Sequence, residues 1–217
     1  PCTSYTIGYD ANDSIVLHKV READWAKILK VKLGRKEAED KRMIRLIRSI
    51  INKPIYVDAN QGWPTKEHAL KMCQWLSEQG VVLIEQPMPK HMNEEHAWLC
   101  ERIELPIIAD EACQTYADIA GLQPYYDGIN IKLMKCGGVA EARKMIALAR
   151  ELGMQVMIGC MTETSAGISA ATTLSPLVDY ADLDGHVLLA NDPYEGIQLV
   201  DGKLTLVNKP GTGVTPR

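Results

Sequence analysis

Short apolar runs alternate along the chain with longer segments of helical period. The runs are Tyr5–Gly8, Ile28–Leu33, Ile55–Asn60, Val81–Gln86, Ile107–Asp110, Gly128–Leu133, Val156–Cys160 and Tyr180–Asp184. Their length and β-branched content predict eight strands. Five helices are predicted between them. Lys36–Ile51 carries Met43, Ile44, Leu46, Ile47 and Ile50 on one side. Thr65–Gln79 follows Pro64 and stops at Gly80, and Asn93 is expected to cap a helix reaching about Ile103. Val139–Leu152 ends at Gly153, and Ser165–Val178 is apolar nearly all round, as in a buried helix. Strand, helix, strand in repetition means parallel strands with crossover helices. Eight of them suggest closure into a barrel. After Gly185 the rhythm changes. Ile197–Val200 and Lys203–Val207 flank Asp201-Gly202, a hairpin signal, and the tail around Pro210–Gly213 reads as irregular. The expected division is a barrel over 1–185 and a hairpin with its tail over 186–217.

Parallel strands covered on both faces should be apolar throughout. Here polar residues break the pattern at one end. They are Lys30 and Lys32, Asp58 and Asn60, Glu85, Asp110, Asn130 and Lys132, and Asp182 and Asp184. Side chains alternate across a strand, so Lys30 shares a face with Lys32, Asp58 with Asn60, and Asp182 with Asp184. The apolar face packs on helices, so the polar face points into the barrel mouth. Chemistry sits at the C-terminal mouth of such barrels. Lys135 lies past its strand, out of phase with Asn130, and reads as an ordinary solvated lysine.

Composition narrows the picture. The 217 residues carry a formal charge of −4, which gives no footprint for nucleic acid. No 18-residue apolar run is present to span a membrane. Pro1–Tyr5 does not resemble a secretory signal. Six cysteines at irregular spacing, with no C-x-x-C, read as reduced thiols of a cytoplasmic protein. The five histidines show no zinc-ligand spacing, and most read as helix-surface residues. No G-x-G-x-x-G follows the first strand, which argues against a dinucleotide fold.

Asp58, Glu85 and Asp110, on adjacent strands, would repel one another unless a cation joins them. An all-oxygen set favours Mg²⁺. Lys32 and Lys132 come from the second and sixth strands, opposite in an eight-strand ring. A lysine of depressed pKa can act as a base, and Lys30 beside Lys32, with the metal nearby, would push that way. Two such bases facing one carbon suggest a racemase or epimerase. The proton would lie α to a carboxylate, with the metal stabilising the enediolate. The eighth strand is opposite the fourth, so Asp182 and Asp184 would hold a cationic group at the far end of the substrate.

These residues resemble the enolase superfamily, muconate-lactonizing subgroup. The match runs through Lys30-Val31-Lys32, Asp58-Ala59-Asn60, Glu85-Gln86-Pro87, Asp110-Glu111 and Ile131–Lys135 with Gly137-Gly138. Asp182-Leu183-Asp184 is similar to the D-x-D of the dipeptide epimerases in that subgroup, which hold the substrate's α-ammonium. The resemblance implies a TIM-type (β/α)7β barrel and Mg²⁺-dependent epimerisation of a dipeptide such as L-Ala-D/L-Glu at its second residue. It implies Lys32 and Lys132 as the acid/base pair, with Asp58, Glu85 and Asp110 on the metal. Lys30 and Asn60 would support the substrate carboxylate and the bases, and Thr6, Cys160 and Thr162 would contact the dipeptide. It also implies cell-wall peptide metabolism as a setting and leaves room for a homo-oligomer. Family members begin with a capping domain whose loops read the second residue. The sequence opens almost at the first strand, so that domain is expected to be missing here. Competing readings are N-succinylamino acid racemase, o-succinylbenzoate synthase, muconate cycloisomerase and a non-catalytic metal-binding barrel. An aspartate pair would repel the anionic far ends of the first group, and metal binding alone needs neither lysine.

Overall fold

The computed structural model describes residues 1–217 and is a parallel α/β barrel. Its strands are β1 (Ser4–Ile7), β2 (Ile28–Lys32), β3 (Ile55–Asp58), β4 (Val81–Glu85), β5 (Ile107–Ala109), β6 (Gly128–Lys132), β7 (Gln155–Gly159) and β8 (Tyr180–Asp182). They lie side by side in chain order. A parallel bridge between Thr3 and Ala181 closes the ring, and the Leu183 amide donates to Thr3 Oγ1 at 2.7 Å.

The crossover helices are α1 (Asp13–Glu22), α2 (Glu37–Arg48), α3 (Lys66–Glu78), α4 (Asn93–Cys100), α5 (Ile119–Leu122), α6 (Leu133–Cys136), α7 (Val139–Glu151) and α8 (Ser165–Thr172). Each long helix turns its apolar stripe to the barrel wall. Met43, Ile44 and Ile47 of α2, and Met72 and Leu76 of α3, are fully buried. Helix α1 was not anticipated. Its signals are short: Asn12 caps it, accepting from the Ser14 amide at 2.9 Å, and Val16 and Val20 bury one turn apart. Asn93 is the first helical residue rather than the cap, which is Met92. The predicted helix after Ser165 is shorter than its apolar run, because a separate 3-10 turn over Ser175–Leu177 contains Pro176.

The interior has two layers. Tyr56, Leu83, Ile108 and Met157 form an apolar floor, with Ile28 and Tyr180 against it. Burying a side chain of that size contributes about 1.5–3 kcal/mol, and with no phenylalanine available these residues fill the space. Polar residues stand above the floor at the strand ends. In β4 the pairing skips Val82, so that Ile55 faces Val81 but Tyr56 faces Leu83. Val82 is pushed outward, and Glu85 arrives on the inner face opposite Asp58.

Beyond the barrel, β10 (Gln198–Val200) and β11 (Lys203–Thr205) form the expected hairpin. Asp201 and Gly202 both have positive φ, 49° and 73°, as a tight two-residue turn requires. The tail is less irregular than its sequence suggested. β12 (Thr215–Pro216) returns to pair antiparallel with β9 (Tyr194–Glu195). No helix is long and apolar enough to cross a membrane.

Candidate active site

Register brings the polar strand ends to one level. Lys32 pairs with Asp58, Asp58 with Glu85, Lys132 with Gly159, and Gly159 with Asp182. They ring a cavity of about 480 Å³ at the C-terminal mouth. Thr6, Lys30, Lys32, Asn60, Asp110, Lys132, Cys160, Thr162, Asp182 and Asp184 all line it. Asp58 and Glu85 lie just beneath, fully buried. The twelve residues picked out from the sequence therefore converge on one place.

Oxygens of Asp58, Glu85 and Asp110 come within 4.8 Å of one another. Lysines thread between them. Lys30, itself buried, sets its ammonium 2.6 Å from Glu85 Oε2, 3.1 Å from Asp58 Oδ2 and 2.8 Å from Asp182 Oδ2. Lys32 donates to Asp58 Oδ2 at 2.6 Å, and Lys132 to Asp110 Oδ2 at 2.6 Å. Asn130 donates to Glu85 Oε1 at 2.8 Å. Glu85 Oε2 is buried and accepts no hydrogen bond of good geometry, despite the nearby ammonium. Burial, with Asp58 beside it, pushes the Glu85 carboxyl up to about 8. Burial also raises Asp58 and Asp110, but Lys30 and Lys32 outweigh it at the first, and Lys132 and Lys135 at the second. Both therefore titrate below the usual carboxylate range. A buried trio of convergent carboxylates with one oxygen unpaired suits a hard divalent cation.

Three expectations need correction. Lys132 does not have a depressed pKa among the protein groups: burial lowers it, but Glu85 and Asp110 outweigh burial and raise it. Lys30 is likewise raised well above the ordinary value, since Asp182, Glu85 and Asp58 surround it. The aspartate pair is not remote from the carboxylate trio either. Asp182 shares the Lys30 ammonium with Asp58 and Glu85, because side chains from opposite strands meet over the floor. Asp182 also accepts from Ser4 Oγ at 2.6 Å, and Asp184 from the Thr6 amide at 2.7 Å. Lastly, Lys135 is no solvated lysine. Its side chain is largely covered at the site, 2.7 Å from Asp110 Oδ1. Helix α6 begins directly at the end of β6, so strand parity lapses and one helical turn returns residue 135 to the mouth.

The family model described as enolase C-terminal domain-like matches residues 16–217. The chain belongs to that family. This enolase-type barrel is 54% identical over 215 residues to the L-Ala-D/L-Glu epimerase of Bacteroides thetaiotaomicron, covering 99% of this chain and 55% of that protein. It is 41% identical over 182 residues to the L-Ala-D/L-Glu epimerase of Escherichia coli, covering 83% of this chain and 55% of that one. Among solved structures it resembles the dipeptide epimerase from Cytophaga hutchinsonii complexed with Mg and D-Ala-L-Val. The TM-score there is 0.91 at 27% identity, with 100% of this chain and 61% of that chain covered. The chain thus spans little more than half the length of these curated relatives.

The loops of this enolase-type barrel fix the site from behind. Asp40 of α2 is buried and accepts from the Gly34 amide (3.1 Å), the Arg35 amide (3.1 Å) and Trp63 Nε1 (3.1 Å). It joins the loops that follow Lys32 and Asn60. Those loops touch backbone to backbone: a Cβ on Gly34 would lie 1.9 Å from the Ala59 carbonyl oxygen. Asn60 has φ of 43°, and its amide donates to Asp58 Oδ1 at 2.9 Å. Gln86 is a support the sequence reading passed over. Its Oε1 accepts from the Asp110 and Ala112 amides at 3.0 and 3.1 Å, and its Nε2 donates to Tyr126 Oη at 2.9 Å. The sequence signal was a polar residue directly after Glu85, inside a motif already singled out. Met161 and Leu188, both half-exposed, add the apolar part of the rim. Burial pushes the Cys160 thiol up, so it lines the cavity as a neutral group.

Proposed function

We propose that the protein is a Mg²⁺-dependent dipeptide epimerase that inverts the α-carbon of the second residue of a substrate such as L-Ala-D/L-Glu. The observation that carries this reading is the meeting of three kinds of group at one cavity and its floor. These are the carboxylate trio, the lysines Lys32 and Lys132 from opposite strands, and the pair Asp182 and Asp184. The similarity to enzymes named L-Ala-D/L-Glu epimerase supports it.

In this mechanism Asp58, Glu85 and Asp110 hold the cation. When bound, it supplies positive charge against the negative charge that builds on the substrate carboxylate as the α-proton leaves. Lys32 and Lys132 take the proton from one face and return one to the other, each acting as base or acid according to the substrate's configuration. Asp182 and Asp184 receive the α-ammonium. A substrate with an anionic N-succinyl group would meet repulsion there. Thr6, Cys160 and Thr162 line the wall along the first residue, and Asn60 and Lys30 keep Asp58 in place. The catalytic unit in this reading is residues 1–185, with 186–217 as a strap outside it. Met161 and Leu188 offer apolar surface to a segment covering the mouth. The setting is turnover of cell-wall peptides in a reducing cytoplasm, to which six free thiols are suited.

The test is proton NMR in D₂O with Mg²⁺ and L-Ala-L-Glu. Loss of the α-proton signal of the second residue, with appearance of the L,D-diastereomer, is expected. Exchange on N-succinyl amino acids, with none across a dipeptide panel, would overturn the proposal.

A further inference from the structure

Lys132 and Lys135 grip the same carboxylate but are held very differently. Lys132 has one partner in this group, Asp110 Oδ2 at 2.6 Å. Lys135 sets its ammonium among four oxygens: Asp110 Oδ1 at 2.7 Å and the backbone carbonyls of Asp110 (2.8 Å), Cys113 (2.7 Å) and Asn130 (3.1 Å). Those carbonyls belong to the end of β5, to the loop after it and to β6. The loop is wound around the same point. The Cys113 amide donates to the Asp110 carbonyl at 3.1 Å, and Gln114 Nε2 donates to the Asp110 and Glu111 carbonyls at 3.4 and 3.0 Å.

The two contacts differ in how easily they are given up. Moving Lys132 exposes one carboxylate oxygen, which a cation or a substrate can satisfy in its place. Moving Lys135 would withdraw one charged donor from three carbonyls at once, those of Asp110, Cys113 and Asn130, and losing charged hydrogen bonds at buried residues is costly. The geometry points to Lys135 as a positioning residue that fixes the rotamer of Asp110. It reserves Oδ1 for itself and leaves Oδ2, the oxygen that Lys132 can vacate, as the one offered to the metal. This rests on the metal reading above and adds a role that the motif of three carboxylates and two lysines does not contain.

A simple charge effect predicts the opposite result from this clamp, which makes the inference testable. Removing a positive charge beside a cation site should tighten cation binding. Removing a clamp should loosen it. The experiment titrates Mn²⁺ into the intact protein by electron paramagnetic resonance. It compares wild type with Lys135→Met, and follows thermal unfolding of both in EDTA as a measure of folding. The expected outcome is a Mn²⁺ Kd about tenfold or more higher in Lys135→Met, with an altered bound-Mn²⁺ spectrum. An unchanged or lower Kd overturns the inference. Should Lys135→Met fail to fold, Lys135→Arg keeps the charge, but its planar fork does not fit four oxygens around one point. It should still weaken Mn²⁺ several-fold, and wild-type affinity in that variant overturns the clamp. If wild type itself binds no Mn²⁺, the metal reading falls and the inference with it. Weak binding confined to the variants separates the two cases.

Discussion

A Cβ on Gly159 would lie 2.5 Å from Oδ1 of Asn130. The glycine ends β7 at the level of the site, and the Asn130 amide fills the space that a side chain would take. From there Asn130 reaches Glu85 and donates to Oε1 at 2.8 Å. Gly159→Ala should push the amide aside and leave Glu85 without that donor. We expect weaker Mn²⁺ binding and a stability loss of about 1–3 kcal/mol from overpacking. A metal titration beside a urea melt checks both. Unchanged metal affinity with a lowered melt would limit Gly159 to packing.

Asp40 makes a comparable prediction at a distance from the mouth. Its buried carboxylate takes up three donors from two loops, one of them the fully buried Trp63 Nε1. Asp40→Ala should cost about 3 kcal/mol, the scale of losing a charged acceptor and leaving buried donors unpaired. It should also lower activity, since the loops after Lys32 and Asn60 lose their common anchor. A cost below about 1 kcal/mol by urea denaturation would show that the loops hold each other through Gly34 and Gly62 alone.

The barrel and its polar rim were legible because two simple periodicities coincide. Apolar runs of strand length recur at the spacing of one strand-helix unit, and polar residues break them only at their C-terminal ends. Parity then assigned Lys30, Asp58 and Asp182 to the interior, where they are found. The rule failed where the backbone leaves the strand. Lys135 is on a helical turn, so alternation misplaced it. It failed again for electrostatics. The sequence suggested that Lys30 and a nearby metal depress a base lysine, but among the protein groups Glu85 and Asp110 outweigh burial and raise Lys132. His96 stands outside the helix-surface reading given to most of the histidines, being buried against Tyr126 with ring centroids 4.5 Å apart. Its neighbours in sequence, Glu94 and Glu95, gave it a polar context that the tertiary packing removes.

His96 supplies an acid-stability prediction. Burial lowers its pKa to about 4. Its Nδ1 is 2.7 Å from the Met92 carbonyl, and its Nε2 has no partner. In the unfolded chain the ring titrates near 6.5. Between those values the unfolded state takes up a proton that the folded state refuses, so stability falls as pH falls. The full cost, reached near pH 4, is about 3 kcal/mol. His96→Gln should flatten the slope of stability against pH over this window. Urea melts at pH 7 and pH 5 would decide it, and an identical slope in both proteins would remove His96 from the acid response.

Asp184 carries the opposite sign. Burial, with Asp182 beside it, raises its carboxyl to about 6. Its folded pKa is above the unfolded value near 3.9, so the folded state binds the extra proton between the two. Stability from this group falls as pH rises, by an amount on the order of 3 kcal/mol once pH exceeds 6. Asp184→Asn keeps an oxygen for the Thr6 amide and removes the charge. It should stabilise the protein above pH 6 and raise the KM for a dipeptide. In wild type the KM should climb as pH falls through 6, where the carboxylate proposed to meet the α-ammonium is neutralised. A KM that is flat across pH 5–7 would argue against an ammonium contact at Asp184.

The two lysines can be separated by substrate stereochemistry. Each approaches from one side of the cavity, Lys32 on β2 and Lys132 on β6. In the proposed mechanism epimerisation needs both, but removal of a proton from one face needs only one. Lys132→Ala leaves Asp110 held by Lys135, so the rim should keep its shape. Epimerisation should then fall by roughly 10²–10⁴-fold, the usual range for losing a general acid or base. In D₂O, one diastereomer of the dipeptide should still exchange its α-proton with retention, through Lys32. The other should be inert. Lys32→Ala should reverse the assignment. Proton NMR of both diastereomers with both variants gives four measurements, and the pattern must be complementary. Loss of exchange from both diastereomers in Lys132→Ala would mean that the lysines act on one face together. Retained epimerisation would mean that Lys132 is not a base at all.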